Sequence, residues 1–295
     1  MPASLTLLAP AKINLYLAVG GRRSDGYHDV VTVLQSLDTR LSDVVTVTEA
    51  ESFSVVCEPD IGLPVEDNIA TRTISALAGF AGRTPDVAVR IEKQIPAAAG
   101  LGGASADAAA VLVGACRLWG IDANTPQVLG LAQSLGADVP FFISGGTAVY
   151  GGRGDVLLRR LTTPRFAVVL ANADEPVPTP AAYAAFDRLP HPQAPSIQKI
   201  TSALQSGDVA GVAVSLHNDL TDAACSVAPS VADVLRFVRG LPEVLGALVT
   251  GSGSAVFGIC ADEESAAKVS DRVREAGWWA CASATSAEGV LERAF

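Results

Sequence analysis

Residues 95–109 read Ile95-Pro96-Ala97-Ala98-Ala99-Gly100-Leu101-Gly102-Gly103-Ala104-Ser105-Ala106-Asp107-Ala108-Ala109, a glycine-rich turn followed directly by strong helix formers. Gly100, Gly102 and Gly103 can adopt positive φ and carry no side chain, so a polyphosphate can approach the backbone N–H groups. A helix that begins here would direct its free N–H groups and positive dipole end at the bound anion. The stretch therefore predicts an anion-binding loop.

The helix after this turn is predicted from Ser105 to Trp119, with Gly120 ending it and Ser105 or Asp107 capping its first turn. Two common phosphate-binding motifs do not fit. A Walker loop requires Gly-Lys-Ser/Thr after four residues, and a Rossmann fingerprint requires Gly-x-Gly-x-x-Gly with a later acidic partner. The remaining alternative is a flexible glycine–alanine turn between a strand and a packed helix.

The chain has 295 residues, which is long for one core, and we predict two domains, residues 1–160 and 161–295. The boundary is expected after the polar turn Gly151-Gly152-Arg153-Gly154-Asp155. A hydrophobic content of 49% with 18% charged residues is typical of a globular α/β protein and excludes a disordered or coiled-coil chain.

The formal net charge of −10 argues against broad contact with nucleic acid or an anionic membrane. A phosphate ligand would therefore need local cations. The candidates near the motifs are Lys12, Arg22, Arg23, Lys93 and Arg153.

The five cysteines lack paired spacing and the three histidines stand far from them, so we predict neither a zinc site nor a disulfide framework. The start of the sequence has no basic region before an apolar segment, and no apolar run reaches the length of a membrane span. These features predict a soluble, cytoplasmic protein with reduced thiols.

Apolar and polar residues alternate from Ala9 to Leu17, which predicts a half-buried strand with Lys12 and Asn14 on the same face. A mostly antiparallel sheet is predicted for the first half, and its other strands are expected at 43–48, 53–57, 87–93 and 147–150. The other helices of this half are predicted at 68–82, capped by Asp67 or Asn68, and at 126–135, closed by Gly136.

The second half has the pattern of an α+β layer. A strand at 165–171 is followed by a helix from Thr179 or Pro180 to Asp187 and by a proline-rich loop, 189–196. Helices are predicted up to about Gly240. The last elements are expected as strands at 246–250 and 254–260, a helix at 262–276 and a strand at 278–283.

Two charged residues lie in apolar surroundings. Lys12 interrupts an apolar strand, where an ammonium group costs free energy unless it meets an anion; the alternative is a head group that reaches water at the strand end. Asp138 follows a helix among apolar residues, and the alternative for it is a cap of the turn at Pro140. An Asp beside a Lys can orient a hydroxyl group while the Lys offsets charge on a transferred phosphoryl group.

Tyr27 and His28 occupy a polar turn, where the aromatic ring can stack on a flat ligand and the imidazole can bind its edge. The alternative is a solvated histidine. Gly251 and Gly253 separate two short strands, a pattern that favours a hairpin. The same glycines could place backbone donors opposite the first glycine loop.

Taken together, these segments resemble the GHMP kinase superfamily, which contains galactokinase, homoserine kinase, mevalonate kinase and phosphomevalonate kinase. The resemblance covers nearly the whole chain. Within the superfamily, the segments 10–15, Asp25-Gly26-Tyr27-His28 and Gly136-Ala137-Asp138-Val139-Pro140 resemble the kinases that act on 4-diphosphocytidyl-2-C-methyl-D-erythritol in the non-mevalonate isoprenoid pathway.

This resemblance implies a two-domain α+β GHMP kinase fold, with a ribosomal-protein-like N-terminal α/β domain, a ferredoxin-like C-terminal α+β domain and the site between them. It implies direct in-line transfer from ATP, accompanied by Mg²⁺, to the 2-hydroxyl of the small-molecule substrate. The protein is expected to be a monomer or homodimer. The resemblance leaves the Mg²⁺ ligands open.

The resemblance also implies residue roles. Asp138 is expected as the catalytic base and Lys12 as its charged partner. The nucleotide is expected at Asn68, Lys93, Pro96, Ala97, Ala98, Ala99, Gly100, Leu101, Gly102, Gly103, Ala104, Ser105 and Ala106. The cytidine substrate is expected at Asn14, Tyr27, His28, Thr179, Pro180, Tyr183, Gly251 and Gly253.

One departure concerns the glycine loop. Where the family often has Gly-Gly-Gly-Ser-Ser-Asn, this chain has Gly102-Gly103-Ala104-Ser105-Ala106-Asp107. An acid beside phosphates would have to cap the helix or help with the metal, since otherwise it would repel the ligand. The alternatives to this function are another GHMP small-molecule kinase, acting on homoserine, mevalonate or a sugar, and a non-catalytic nucleotide or sugar sensor.

Overall fold

The computed structural model describes residues 2–60, 62–190 and 192–293. Met1 lies outside the described residues. His191, which is inside the predicted proline-rich loop, also lies outside them. The strands are β1 (Ser4–Pro10), β2 (Lys12–Arg22), β3 (His28–Ser36), β4 (Ser42–Glu49), β5 (Ser54–Glu58), β6 (Val87–Glu92), β7 (Thr147–Gly151), β8 (Val156–Leu161), β9 (Ala167–Asn172), β10 (His217–Asn218), β11 (Val244–Val249), β12 (Val256–Cys260), β13 (Trp279–Ala284) and β14 (Leu291–Glu292).

Helices connect and cover these strands. They are α1 (Ile69–Ala81), α2 (Gly103–Leu118), α3 (Pro126–Leu135), α4 (Val139–Ser144), α5 (Thr179–Phe186), α6 (Gln198–Ser206), α7 (Val209–Val214), α8 (Thr221–Val227), α9 (Pro229–Arg239) and α10 (Glu263–Glu275). None of the helices in the described ranges combines the length and hydrophobicity that crossing a bilayer requires.

The described strands form three sheets. Their strand orders are β14-β1-β4-β6-β5, β10-β2-β3-β7-β8 and β11-β12-β9-β13. The pairing in the first two sheets is mostly antiparallel, as predicted, with parallel pairs at β5·β6 and β10·β2. Because β10 and β14 come from the second half of the chain, backbone pairing crosses the boundary expected after residue 160. The division into 1–160 and 161–295 stays a prediction.

The predicted strand at 9–17 is wrong in one respect, because the structure has two strands there. β1 ends at Pro10, which has no N–H for a strand ladder, and β2 begins at Lys12 in a different sheet. Between them, the Ala11 N–H donates to the Leu41 carbonyl at 3.0 Å, and the Lys12 N–H donates to the Leu101 carbonyl at 3.0 Å. The chain therefore changes sheets at the residue before Lys12, and this change brings β2 to the glycine loop.

Four strands were not predicted, and one of them, β14, has only two residues at a sheet edge. β3 carries buried polar residues, Thr32, Gln35 and Ser36, which interrupt the expected alternation. β8 is largely exposed at a sheet edge, and β10 has two residues. Their places in the sheets depend on partners that are distant in sequence, which local patterns do not show.

The glycine-rich turn leads into α2 two residues earlier than predicted. The N-cap is Gly102, at φ +79°, and no side chain among the described residues caps this helix end. The prediction of Ser105 or Asp107 as a cap is therefore wrong, because both lie within the helix. α2 ends at Leu118, and Gly120 follows at φ +67°.

The other helix ends in the first half follow the predicted signals. The Asn68 side chain accepts a hydrogen bond from the Ala70 N–H at 2.9 Å, and Gly82 ends α1 in the left-handed conformation. α3 spans the predicted residues, with Thr125 at its N-cap.

Close packing fixes α2 against the first sheet. Its residues from Ala106 to Cys116 are buried, and a Cβ added at Gly114 would lie 2.8 Å from Val47 Cγ2 and 2.9 Å from Leu7 Cδ1. A larger residue at this position would push the helix away from the sheet. This contact holds the N-terminus of α2, and the glycine loop before it, at a set position over the sheet.

Candidate active site

The glycine loop has three residues in the left-handed region, Ala98 at φ +52° and two glycines. Gly100 has φ +77° and Gly102 has φ +79°, whereas Gly103 is helical. A Cβ at Gly100 would lie 2.2 Å from the Thr250 carbonyl oxygen, and one at Gly102 would lie 2.6 Å from Phe142 Cζ. Conformation and close approach therefore both require glycine at 100 and 102. The sequence allowed Gly103 a positive φ, but in the structure Gly103 has a helical φ.

A cleft of about 570 Å³ lies beside this loop. All the residues predicted for the nucleotide line it except Ala106, which is buried in the core of α2. The other lining residues were not assigned to the nucleotide from the sequence. They are Cys57, Leu63, Asp67, Ile69, Arg72, Ile91, Ile95 and Asp107. Ile95 and Asp107 stand in the glycine-rich stretch itself, and the rest come from separate elements.

A second cavity, of about 260 Å³, lies on the other side of the loop. Gly100 and Gly102 line both cavities, so the two meet at the glycine loop. Predicted residues in the second cavity are Lys12, Asn14, Asp138, Thr179, Tyr183 and Gly251. Residues that were not predicted for it are Leu17, Val30, Thr32, Arg153, Gly154, Leu220 and Ser252.

Lys12 and Asp138 face each other in the second cavity. Lys12 Nζ lies 3.5 Å from Asp138 Oδ2 and donates to Asn14 Oδ1 at 2.7 Å. The Lys12 side chain is 6% exposed, so the alternative of a head group that reaches water is wrong. Asp138 stands at the N-cap of α4, but its side chain makes no capping hydrogen bond to a described residue. The carboxylate therefore remains available to a ligand in the cavity.

Asn14 connects β2 to the third glycine motif. Its N–H donates to Thr250 Oγ1 at 3.0 Å, and its Nδ2 donates to Thr32 Oγ1 at 2.8 Å. The predicted hairpin is confirmed, because β11 pairs with β12 across residues 250–255. The hairpin also contacts the first glycine loop, since the Ala255 N–H donates to the Ala99 carbonyl at 3.0 Å. The hairpin therefore packs against the first glycine loop, and the placing of backbone donors by Gly251 and Gly253 stays a prediction.

The predicted substrate residue Thr179, at the start of α5, contacts Ser252 of the hairpin, which was not predicted. The Thr179 and Ser252 hydroxyls lie 2.9 Å apart. Pro180 occupies the first turn of α5 and does not line the cavity. Gly253 does not line it either, because its Cα faces the core, where an added Cβ would lie 3.1 Å from Ala224 Cβ.

Tyr27 and His28 lie at the edge of the second cavity. His28 is buried, its Nε2 lies 2.8 Å from Asp187 Oδ1, and its ring stacks on Tyr183 at 5.2 Å between centroids. The alternative of a solvated histidine is therefore wrong. Tyr27 is 58% exposed, and the Arg153 guanidinium lies 5.0 Å from the centre of its ring. Both predicted residues thus adjoin the cavity through neighbours that line it.

Burial, with a smaller contribution from the charge of Asp138, raises the pKa of Tyr183 to about 12. The phenol therefore remains protonated at neutral pH and can donate a hydrogen bond but cannot act as a base. This leaves the Asp138 carboxylate as the acceptor group that adjoins both Tyr183 and Lys12.

A charged cluster lies behind the glycine loop. Lys93 Nζ contacts Asp43 Oδ2 and lies 2.6 Å from Asp107 Oδ2. Burial lowers the pKa of Lys93, but the charges of Asp107 and Asp43 and their hydrogen bonds outweigh it and raise the pKa overall. Lys93 therefore stays charged. The sequence did not predict Asp43, because only the pairing of β4 with β6 brings it to Lys93.

Comparison with known proteins shows the class of protein to which this chain is similar. The sequence model of the GHMP kinases N terminal domain matches residues 68–146, and that of the GHMP kinases C terminal domain matches residues 200–277. A solved homoserine kinase from Cytophaga hutchinsonii superposes with a TM-score of 0.76 at 17% identity, over 98% of this chain and 97% of that one. The fold is that of a GHMP kinase, as the sequence predicted.

More similar proteins specify the family. A 4-diphosphocytidyl-2-C-methyl-D-erythritol kinase from Rhodococcus jostii is 40% identical over 94% of this chain and 90% of that protein. One from Mycolicibacterium gilvum is 40% identical over 99% of this chain and 92% of that protein. A solved 4-(cytidine 5'-diphospho)-2C-methyl-D-erythritol kinase superposes with a TM-score of 0.80 at 34% identity, over 96% of this chain and 99% of that one. The chain belongs to the 4-diphosphocytidyl-2-C-methyl-D-erythritol kinase family, and it is an ATP-dependent small-molecule kinase.

Proposed function

We propose that this kinase transfers the γ-phosphoryl group of ATP to the 2-hydroxyl of 4-diphosphocytidyl-2-C-methyl-D-erythritol. Family membership at 40% identity supports the substrate. The observation that carries the proposal is the junction of the two cavities at Gly100 and Gly102, next to Lys12 and Asp138. A triphosphate on one side of the loop and an alcohol on the other would meet at this charged pair.

The nucleotide binds in the larger cleft, with its phosphates along the glycine loop. The exposed N–H groups at the start of α2 and the positive end of its dipole favour an anion there. Asn68 and Lys93 adjoin the nucleotide from α1 and β6, and Ser105 faces the same cleft.

Mg²⁺ is proposed as the ion that accompanies the triphosphate and neutralises part of its charge. The described residues contain no group of three or more His, Cys, Asp or Glu side chains arranged to hold a metal. The acids nearest the loop, Asp107 and Asp138, already face Lys93 and Lys12. Mg²⁺ commonly keeps several waters and binds substrate phosphates, so we assign it no protein ligand and no step.

Asp138 accepts the proton of the 2-hydroxyl as the oxygen attacks the γ-phosphorus. The new P–O bond forms in line with the breaking bond to the β-phosphate oxygen, and ADP leaves without a phosphoenzyme. The Lys12 ammonium, 3.5 Å from Asp138, offsets charge on the phosphoryl group in transfer. Its hydrogen bond to Asn14 holds it in this position.

The cytidine substrate occupies the second cavity and its edge. Asn14, Thr179, Tyr183 and Gly251 contact it from the cavity wall. Tyr27 and His28 bind the base by stacking and by hydrogen bonds, and Pro180 and Gly253 shape the two loops that border it. A cytoplasmic location and a monomeric or homodimeric state belong to the same proposal.

The test is ADP release with the cytidine substrate, compared with homoserine, mevalonate and galactose. Turnover restricted to the cytidine substrate is the expected result. Turnover of homoserine, mevalonate or galactose alone would assign the protein to another GHMP kinase activity. Nucleotide binding without turnover of any of these alcohols would favour the sensor alternative.

A further inference from the structure

Asp107 lies in α2, lines the nucleotide cleft and does not cap the helix. Its side chain is 5% exposed, and one oxygen, Oδ2, lies 2.6 Å from Lys93 Nζ. The other oxygen, Oδ1, is buried and has no hydrogen-bond partner among the described residues. A buried carboxylate oxygen without a partner is costly as long as the group is charged.

The rest of the cluster does not supply the missing partner. Asp43 Oδ1 accepts the N–H groups of Gln94 at 2.6 Å and Ile95 at 2.9 Å, and Asp43 Oδ2 contacts Lys93. The two carboxylates and one ammonium group carry a net charge of −1. Both oxygens of Asp43 have partners, whereas Oδ1 of Asp107 has none, so Asp107 is the carboxylate whose negative charge is less well compensated.

The cluster of Asp43, Lys93 and Asp107 lies close to the proposed nucleotide site. Gly103 precedes Asp107 by one helical turn, and a Cβ at Gly103 would lie 3.5 Å from Lys93 Nζ. The cluster therefore adjoins the first turn of α2, where the N–H groups that attract phosphate are exposed. A triphosphate bound there would be repelled by an ionised Asp107.

We propose that ATP binding is coupled to protonation of Asp107, so that the nucleotide binds to the form in which Oδ1 carries a proton. The proton comes from solvent, and the neutral acid keeps its contact with Lys93 through Oδ2. The charged groups that act on Asp107 are Asp43 on β4 and Lys93 after β6. This inference rests on the proposed function, because it assigns ATP to the cleft that Asp107 lines.

The ionisation of Asp107 in the free protein supports the coupling. Burial and the charge of Asp43 raise its pKa, Lys93 opposes them, and the net pKa is about 7. The protonated form binds ATP better, so affinity is highest below this pKa and is lost as pH rises above it. A single linked proton changes Kd by at most about tenfold per pH unit.

The test measures the Kd of ATP by titration calorimetry between about pH 6 and 9, with EDTA and without acceptor substrate. Asp107→Asn keeps an oxygen for Lys93 but cannot ionise. The pH dependence of its Kd for ATP therefore reflects only the protonation of ATP itself. The ratio of the wild-type Kd to that of Asp107→Asn is expected to rise towards about tenfold per pH unit above pH 7. Asp67→Asn, which removes an exposed acid from the same cleft, should keep the wild-type slope.

A second measurement does not depend on any variant. Binding heats at pH 8 in buffers of different ionisation enthalpy should show uptake of close to one proton by the wild-type protein. Absence of uptake, or equal slopes for wild type and Asp107→Asn, overturns the coupling. Weaker binding by Asp107→Asn only when Mg²⁺ is present overturns it in favour of a metal ligand. If the wild type binds no ATP at any pH, the proposed function fails as well.

Discussion

Lys12 Nζ and Asp138 Oδ2 lie 3.5 Å apart, with the lysine buried at the start of β2 and the aspartate partly exposed just before α4. The ammonium group can therefore serve the carboxylate and a ligand, but it has little access to water. Because the Lys12 ammonium is buried and the Asp138 carboxylate is partly exposed, the carboxylate is the group that is open to the second cavity.

Replacing Asp138 by Asn should lower kcat by about 10² to 10⁴, the usual contribution of a positioned general base. The KM for ATP should change little, since the amide keeps the shape of the side chain. Steady-state kinetics with the cytidine substrate measures both constants. Asp122→Asn, in the exposed loop before α3, is the matched control. A kcat near the wild-type value for Asp138→Asn would contradict the assignment of the base.

Tyr27→Ala should raise the KM for the cytidine substrate by about tenfold, because base–aromatic stacking contributes roughly 1–3 kcal/mol. The KM for ATP should stay within about twofold, since Tyr27 adjoins the second cavity through Arg153. Phe80→Ala removes a comparably exposed ring from α1 and serves as the control. Equal increases in both KM values would place Tyr27 outside the substrate site.

Gly100→Ala should raise the KM for ATP by at least about tenfold and destabilise the protein by more than about 1 kcal/mol. The added Cβ would lie 2.2 Å from the Thr250 carbonyl oxygen, so the two glycine motifs must separate. Gly120→Ala has a similar positive φ, but its Cβ would meet no atom within 4 Å. That control isolates the cost of the backbone conformation, measured by urea unfolding. Equal losses in the two variants would show that the contact with Thr250 is unimportant.

Asn68→Ala should lower the free energy of unfolding by about 1 kcal/mol, because Asn68 caps α1. It should also raise the KM for ATP, since the residue lines the nucleotide cleft. Thr125→Ala removes the corresponding cap from α3, outside the cleft, and should lower stability by a similar amount without raising KM. Unfolding curves and kinetics on both variants separate the two effects. An unchanged KM in Asn68→Ala would limit that residue to capping.

Local signals predicted those features that depend on neighbouring residues. The caps Asn68 and Gly82 of α1, and the extent of α3, follow from side-chain and backbone chemistry within one turn. The start of α2 was predicted two residues late, because Gly102 ends the loop without a capping side chain. β3 was missed because its buried Thr32 and Gln35 hide the alternation that a half-buried strand normally shows.

The candidate site was predictable where a motif carries the chemistry. Lys12, Asp138 and the glycine loop stand in recognisable segments, and their types suit phosphoryl transfer. Asp43 was not assigned to the site, and Arg153 was named only as one of five candidate cations, since the contacts of both depend on approach across the fold. Arg153 reaches Tyr27 across the edge of the second sheet, and Asp43 meets Lys93 because β4 pairs with β6.

The sequence by itself determined the glycine-rich loop before a helix, the isolated lysine and aspartate, and the resemblance to GHMP kinases, because these reside in short segments with distinct chemistry. Only the tertiary structure decided that Gly100 and Gly102 join two cavities, that Lys12 is buried against Asp138, and that Asp107 faces Lys93. The physical reason is that burial and charge pairing arise between elements distant along the chain. Their energies depend on distances that sheet pairing and helix packing set.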